Sequence, residues 1–242
     1  MLPARNTLIG RLARVPLRLI PAMKPMRILS GPLAGKRWLS TSGTHGCWLG
    51  TYEIELQRLI SRNVKPGQVF YDVGANVGFF SLLASTAVTP AGCVIAFEPL
   101  PRNIALLRAN LALNDVDNVR LHESAVADGS GSTLFSNDAS PSMGRMAAQE
   151  GIRVATIAID ALVGSGEVPP PQVMKMDIEG AESLALAGAR HTLMKHRPLI
   201  YLSTHGFEQH EACCSFLQGI GYALQLRRDG VRDGQYELTA SA

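Results

Sequence analysis

The stretch from Val69 to Phe80, VFYDVGANVGFF, constrains this chain more than any other. Val69 to Val73 is apolar and β-prone apart from Asp72 and shows no alternation, the pattern of a parallel strand covered on both faces. Gly74 and Gly78 then permit backbone angles and close approach that a Cβ would block. From Phe79 the spacing of Phe79, Phe80, Leu82, Leu83 and Ala87 is helical, and Pro90-Ala91-Gly92 ends the run. Strand, glycine turn and helix start in succession predict a βα unit of an α/β sheet. Such a turn is expected to present backbone N–H groups and the positive end of a helix dipole to an anionic ligand group.

The kind of ligand follows from the spacing. A dinucleotide fingerprint needs G-x-G-x-x-G, whose middle glycine lets a pyrophosphate touch the backbone. Here the order is Gly74-Ala75-Asn76-Val77-Gly78, and Asn76 stands near the place of that glycine. Its side chain leaves less room for a pyrophosphate but can orient a small carboxylate or amine. Asp72, near the strand's end, is expected to hold a ligand ammonium. A zwitterionic amino-acid head group therefore fits better, and S-adenosylmethionine (SAM) carries one on an adenosine.

The βα alternation continues. Cys93 to Glu98 reads as a second buried strand ending on an acid, and Pro99-Leu100-Pro101 starts the next helix. Glu98 at that strand end is placed to grip a ribose diol, since a carboxylate accepts from two hydroxyls at once. Val119 to His122 is the third strand, and Ser124 and Ala125 after it are candidates for the adenine edge. Gln172 to Gly180 and Pro198 to Gly206 are the fourth and fifth strands with their exits. Asp72, Glu98, Asp177 and His205 thus fall at strand ends that line one crevice in an open α/β sheet. Asp177 is expected to hold the ligand ammonium, orient an acceptor or join a metal site. His205 titrates near neutrality and is expected to take a proton from an attacking hydroxyl. Asp177, Glu179 and His205 form a conceivable metal set, but no local ligand spacing supports one, and none is expected.

Charge divides the chain. Residues 1–52 hold eight Lys/Arg and no acid, leaving fifteen of the 23 basic groups against all 20 acidic ones, a net −5. Residues 1–50 are read as a basic N-terminal extension with short strands at Met26–Leu29 and Lys36–Leu39, and residues 51–242 as the catalytic domain. Thr7 to Ile20 is expected to form a short basic helix, facing lipid headgroups, its own domain or a twin subunit. At 6% aromatic and without a nucleic-acid motif, nucleic acid is not an expected partner. There is no apolar run of transmembrane length. Cys47, Cys93, Cys213 and Cys214 match no zinc, redox or disulfide framework, which points to a reducing compartment, here the cytoplasm, with the basic arm allowing contact with a membrane face. The loop Trp48 to Glu53 is placed to fold over a ligand. The loop-rich segment 129–151, with Ser140–Arg145 at its centre and a strand at Ser132–Phe135, is placed to recognise substrate. Tyr222–Leu226 and Gln235–Thr239 are expected to close the sheet as an antiparallel pair.

Several spaced motifs between Trp48 and His205 resemble the FkbM-type SAM-dependent methyltransferases. They are Tyr52-Glu53, Asp72 to Gly78, Phe97-Glu98-Pro99, Asn114, Met176 to Glu182, and Gly188-Ala189. The resemblance implies a Rossmann-like, seven-stranded, mostly parallel class I methyltransferase sheet with an antiparallel closing strand. It implies that Asp72, Gly74, Ala75, Asn76 and Gly78 surround the methionine part, that Glu98 binds the ribose, and that Asp177 lies near the reacting methyl; Glu53 and Pro99, in the same motifs, are expected to bind the cofactor as well. Family members commonly methylate hydroxyls on sugars, lipids or polyketides, so O-methylation of a small-molecule, sugar or lipid acceptor is the implied reaction. Many members end the fifth strand on an acid, whereas this strand ends Ser203-Thr204-His205-Gly206. Two other classes share parts of the pattern: a nicotinamide-dependent oxidoreductase, which would want the middle glycine, and a non-catalytic SAM-binding protein attached to a membrane by the basic arm.

Overall fold

A computed structural model describes residues 21–135, 151–231 and 233–242. The expected helix at Thr7–Ile20 and the Ser140–Arg145 loop lie outside them. Strands β1 (Pro25–Arg27) and β2 (Arg37–Leu39) pair antiparallel and lead into helices α1 (His45–Leu49) and α2 (Ile54–Asn63). The βα alternation follows as β3 (Val69–Val73), α3 (Phe79–Val88), β4 (Cys93–Phe97), α4 (Pro101–Ala112) and β5 (Val119–His122). Three short strands, β6 (Ser124–Val126), β7 (Gly131–Phe135) and β8 (Ile152–Ile157), precede α5 (Ile159–Gly164). The chain finishes with β9 (Val173–Met176), α6 (Glu182–Ala187), α7 (Arg190–His196), β10 (Leu199–His205), α8 (Phe207–Gly219), β11 (Ala223–Asp229) and β12 (Gln235–Ser241).

The main sheet has seven strands in the order β11-β12-β10-β9-β3-β4-β5. The five from β10 to β5 are parallel, and β12 lies antiparallel between β10 and β11. This is the expected mostly parallel sheet with an antiparallel closure. Its apolar runs are buried on both faces because successive side chains of a strand point to opposite sides. Phe70 packs with Phe79, Phe80, Leu83 and Leu107 on one face, and Tyr71 and Val73 pack with Phe97, Met174, Leu193 and Leu217 on the other. The chain order reverses between β3 and β9: β4 and β5 lie on one side of β3, and the return to β9 and β10 lies on the other. Ligand crevices of open α/β sheets form at that reversal, outside the carboxyl ends of the strands.

The described part of the basic extension is continuous with this core. Ile28, Leu33, Trp38, Cys47 and Trp48 are buried in the same cluster as Phe70 and Phe79, and Trp38 meets Phe79 edge-on with ring centroids 5.4 Å apart. Two asparagines clamp the extension to α4. Asn114 accepts from Arg37 N at 2.8 Å and donates to Arg37 O at 2.8 Å, while Asn110 accepts from Leu39 N and donates to Ser42 Oγ and Val77 O. The motif residue Asn114 therefore holds β2 in place.

The second sheet, in the order β6-β8-β7, contains the expected strand near Ser132–Phe135. Ser124 and Ala125, expected in an open loop, instead form β6, paired parallel to β8 and buried. A three-residue strand carries no period of its own, so only the exposed edge of β8 explains it. Asp160, in the first turn of α5, accepts from His191 N and Thr192 N at 2.8 and 2.7 Å and thus caps α7. Among the described residues no helix is long and apolar enough to cross a membrane, and all four cysteines are free.

Candidate active site

The turn after β3 and the exit of β9 abut at the sheet's reversal. Asp177 N donates to Val73 O at 3.1 Å, and a Cβ placed on Gly74 would lie 2.0 Å from Asp177 O. Gly74 has φ +77°, so its lack of a side chain serves both the turn and the close approach. A Cβ on Gly78 (φ +88°) would press on Leu107 at 2.9 Å, so that glycine seats α3 against α4. Asn76 takes φ +50° between them, a conformation that asparagine tolerates better than most residues. The turn spends its N–H groups on the protein: Gly74 N and Ala75 N donate to Phe97 O, Asn76 N to Glu98 Oε2, and Gly78 N to Ala75 O. The expected presentation of these N–H groups to a ligand therefore gives way to a turn shaped by its own bonds.

Asp72 also differs from its expectation. It sits one residue inside the end of β3, fully buried, where its Oδ2 accepts from Ser81 Oγ at 2.6 Å and its Oδ1 lies 3.2 Å from Lys175 Nζ. Lys175 is Asp72's register partner on β9 and also donates to Gly74 O at 2.7 Å. Burial works against the Lys175 charge, but Asp72, then Asp177 and Glu53, hold its pKa above the usual value. The pair ties the floor of the crevice to the turn. Sequence reasoning missed Lys175, although a lone lysine in the buried run Val173–Met176, at the same depth as the lone acid in β3, was a readable signal.

Glu98 follows β4 and is buried, with Pro99 half-buried beside it. Its Oε1 accepts from Leu100 N and Asn103 Nδ2 at 3.0 and 3.1 Å, and its Oε2 accepts from Asn76 N at 2.8 Å. Burial raises its pKa against those three bonds. One acid thereby locks the ends of β4 and β3 together. Glu53 precedes α2 in a left-handed conformation (φ 41°), half-buried. Burial first and the charge of Asp177 second push its carboxyl up to about 7, against the Tyr52 hydrogen bond and Lys175.

The third group lies at the ends of β9 and β10. His205, three register positions beyond the last β9 partner of β10, points its Nε2 at Glu179 Oε2 (3.5 Å) and Asp177 Oδ1 (3.7 Å). Its Nδ1 lies 2.9 Å from Oε1 of Glu182, which is fully buried and also accepts from Gly180 N. Glu179 (φ 58°) and Gly180 (φ 104°) bend the exit of β9 back over this cluster. Burial opposes a charge on His205, but the Glu182 bond, then Asp177 and Glu179, outweigh it and lift its pKa to about 9. A ring that holds both protons can position and donate, whereas the expected base role, like ligation through Nε2, needs the neutral ring. Ser124 and Ala125 stand apart from this cluster, in β6; Ala125 packs with Leu100, Phe135 and Val154.

The crevice edge is thus acidic: Glu53, Glu98, Asp177 and Glu179 come to it from three chain segments, while Lys175 is committed to Asp72. SAM, with a sulfonium, an ammonium and one carboxylate, is a net cation and suits such an edge; a dinucleotide pyrophosphate does not.

Comparison with known proteins bears on the family and the fold. The hexuronic acid methyltransferase AglP of Haloferax volcanii is 31% identical over 143 residues, 58% of each chain. The 2-O-methyltransferase NoeI of Sinorhizobium fredii is 28% identical over 165 residues, 58% of this chain and 65% of that one. The chain therefore spans less than two thirds of the length of these relatives. Among solved structures, the FkbM methyltransferase of Methylobacillus flagellatus superposes with a TM-score of 0.52 at 17% identity, over 81% of this chain and 53% of that one. A Streptococcus mutans protein in complex with SAH superposes at 0.54 and 11% identity, over 78% and 96%. The model of the methyltransferase FkbM domain matches residues 72–224, from the buried acid of β3 into β11, and the chain belongs to that family.

Proposed function

We propose that the chain is a SAM-dependent methyltransferase that passes the methyl group to a hydroxyl oxygen of a sugar or another small molecule. The observation that carries this reading is the buried acid Glu98, fastened to the Gly74–Gly78 turn through Asn76 N at the reversal of the sheet. An acid in that place suits a ribose diol, and the acidic edge around it suits a cationic nucleoside. SAM supplies an electrophilic methyl on a sulfonium that leaves readily, so the protein's work is placement and exclusion of water. Placement of reacting groups can be worth about 7–11 kcal/mol at best.

Each residue then has a part. Glu98 holds the ribose, and the turn from Gly74 to Gly78 seats the methionine end, with Asp72 and Lys175 fixing the turn from beneath. Asp177 and Glu179 take the hydrogen bond of the acceptor hydroxyl. His205, pinned by Glu182, sets the two carboxylates around the acceptor oxygen. The relatives named for a hexuronic acid and for 2-O-methylation favour a saccharide over a lipid. The acidic edge and Asn76 count against a nicotinamide cofactor.

The test is incubation of the purified chain with methyl-labelled SAM and uronic-acid-bearing oligosaccharides, followed by mild alkali. Label that survives alkali is a methyl ether and is expected. Alkali-labile label means a carboxyl acceptor. No label in any acceptor, with SAM still bound, favours the non-catalytic binding protein.

A further inference from the structure

We infer that Asp177, Glu179 and His205 form a divalent-cation site at the acceptor end of the crevice. One ligand atom from each of the three lies within 4.8 Å of the others. A cation about 2.0–2.2 Å from each ligand sets neighbouring ligands roughly 3–4 Å apart, and the 3.5 and 3.7 Å separations from Nε2 fall in that range. Two carboxylates and one imidazole form a hard to borderline donor set suited to Mn²⁺, Mg²⁺ or Zn²⁺.

Two further observations point to a bound ion. Asp177 Oδ1 is buried and accepts no hydrogen bond among the described residues, although it faces the centre of the cluster. The second is Glu182, a fully buried carboxylate behind the ring on Nδ1, 2.9 Å away. A ligating histidine characteristically gives its other N–H to such a carboxylate, which fixes the tautomer and aims the remaining nitrogen at the metal. Charge points the same way. Three carboxylates converge on a single imidazole, and Lys175 nearby is already bound to Asp72 and Gly74 O. The three ligands are partly open to solvent, their side chains 21–37% exposed, so the ion keeps positions for water or an acceptor hydroxyl. The cation's use on the acceptor rests on the methyl-transfer reading; its binding does not.

The test uses the full chain, stripped with chelator, titrated with Mn²⁺ alone and followed by the spin-resonance signal of the free aquo ion. One saturable site per chain is expected. Glu179→Gln, at an open position that leaves the core intact, and Asp177→Asn should each weaken it at least about tenfold, and Glu182→Gln by about 10–100-fold. Glu167→Gln, beside His122 elsewhere on the sheet, should bind as the parent does. No saturable Mn²⁺ binding by the parent would overturn the inference, as would parental affinity in both Glu179→Gln and Asp177→Asn; His205 would then be merely the counter-charge of the three acids. A SAM titration run beside it separates the two ideas: lost SAM binding with Mn²⁺ binding intact counts against methyl transfer alone.

Discussion

Lys175 and Asp72 place one charge each in the two central strands, at the same register position, with the crevice turn resting on both. Removing one partner of a buried pair leaves an unpaired buried charge and costs about 3–5 kcal/mol, whereas replacing both with apolar groups of similar size can be neutral. Lys175→Met should therefore lower the urea-unfolding free energy by about 3–5 kcal/mol. The double variant Asp72→Leu/Lys175→Met should recover most of that loss; equal instability of single and double variants would show that the pair is not the cause. Glu53 is a residue-scale test of a different kind. Its carboxyl titrates near 7 in the fold and near 4.5 when unfolded, so the folded state holds the proton more tightly. That contribution is complete below pH 4.5 and is lost as pH rises through about 7. Glu53→Gln, neutral throughout, should gain on the order of 2–3 kcal/mol over the parent at pH 8 and nothing at pH 4, read from denaturant midpoints. Several of these residues were legible as an acid or histidine at a strand end: Glu98, Asp177 and His205. Their partners were not, because Glu182 reaches His205 across 23 residues of chain, and no local period announces such a contact.

At the scale of elements, the turns after β3 and β9 are interlocked. Gly74 needs its left-handed backbone and also the space taken by Asp177 O, while a Cβ on Gly180, with φ +104°, would meet nothing within 4 Å among the described residues. Gly180→Ala should cost only the backbone term, about 1–2 kcal/mol. Gly74→Ala should add overpacking of roughly 1–3 kcal/mol and displace Asp177, so that it loses both thermal stability and SAM affinity. Similar losses in the two variants would mean that the close approach is unimportant. The long apolar strands were readable because burial on both faces leaves an unbroken apolar run. β6 was not readable, since Ser124 to Val126 acquire strand geometry only from the edge of β8.

At the scale of the molecule, the βα alternation was enough to place β3, β4, β5, β9 and β10 side by side and to bring their carboxyl ends to one crevice. It could not show that residues from Ile28 onward complete the core, because the buried Trp38 and Trp48 come from the short elements β2 and α1, and Trp38 meets its partner Phe79 only in α3. Nor could it show the sum of the charges at the crevice: each acid was visible singly, but the acidic edge exists only once the strands are aligned. That edge is the reason to expect a cationic nucleoside, and Glu98 is the residue on which the reading turns. Calorimetric titration with SAM measures it most directly. The parent chain should bind one equivalent, and Glu98→Ala should lose about 1.5–3 kcal/mol, roughly tenfold or more, while His205→Ala keeps parental affinity. Equal losses in the two variants, or parental affinity in Glu98→Ala, would contradict it.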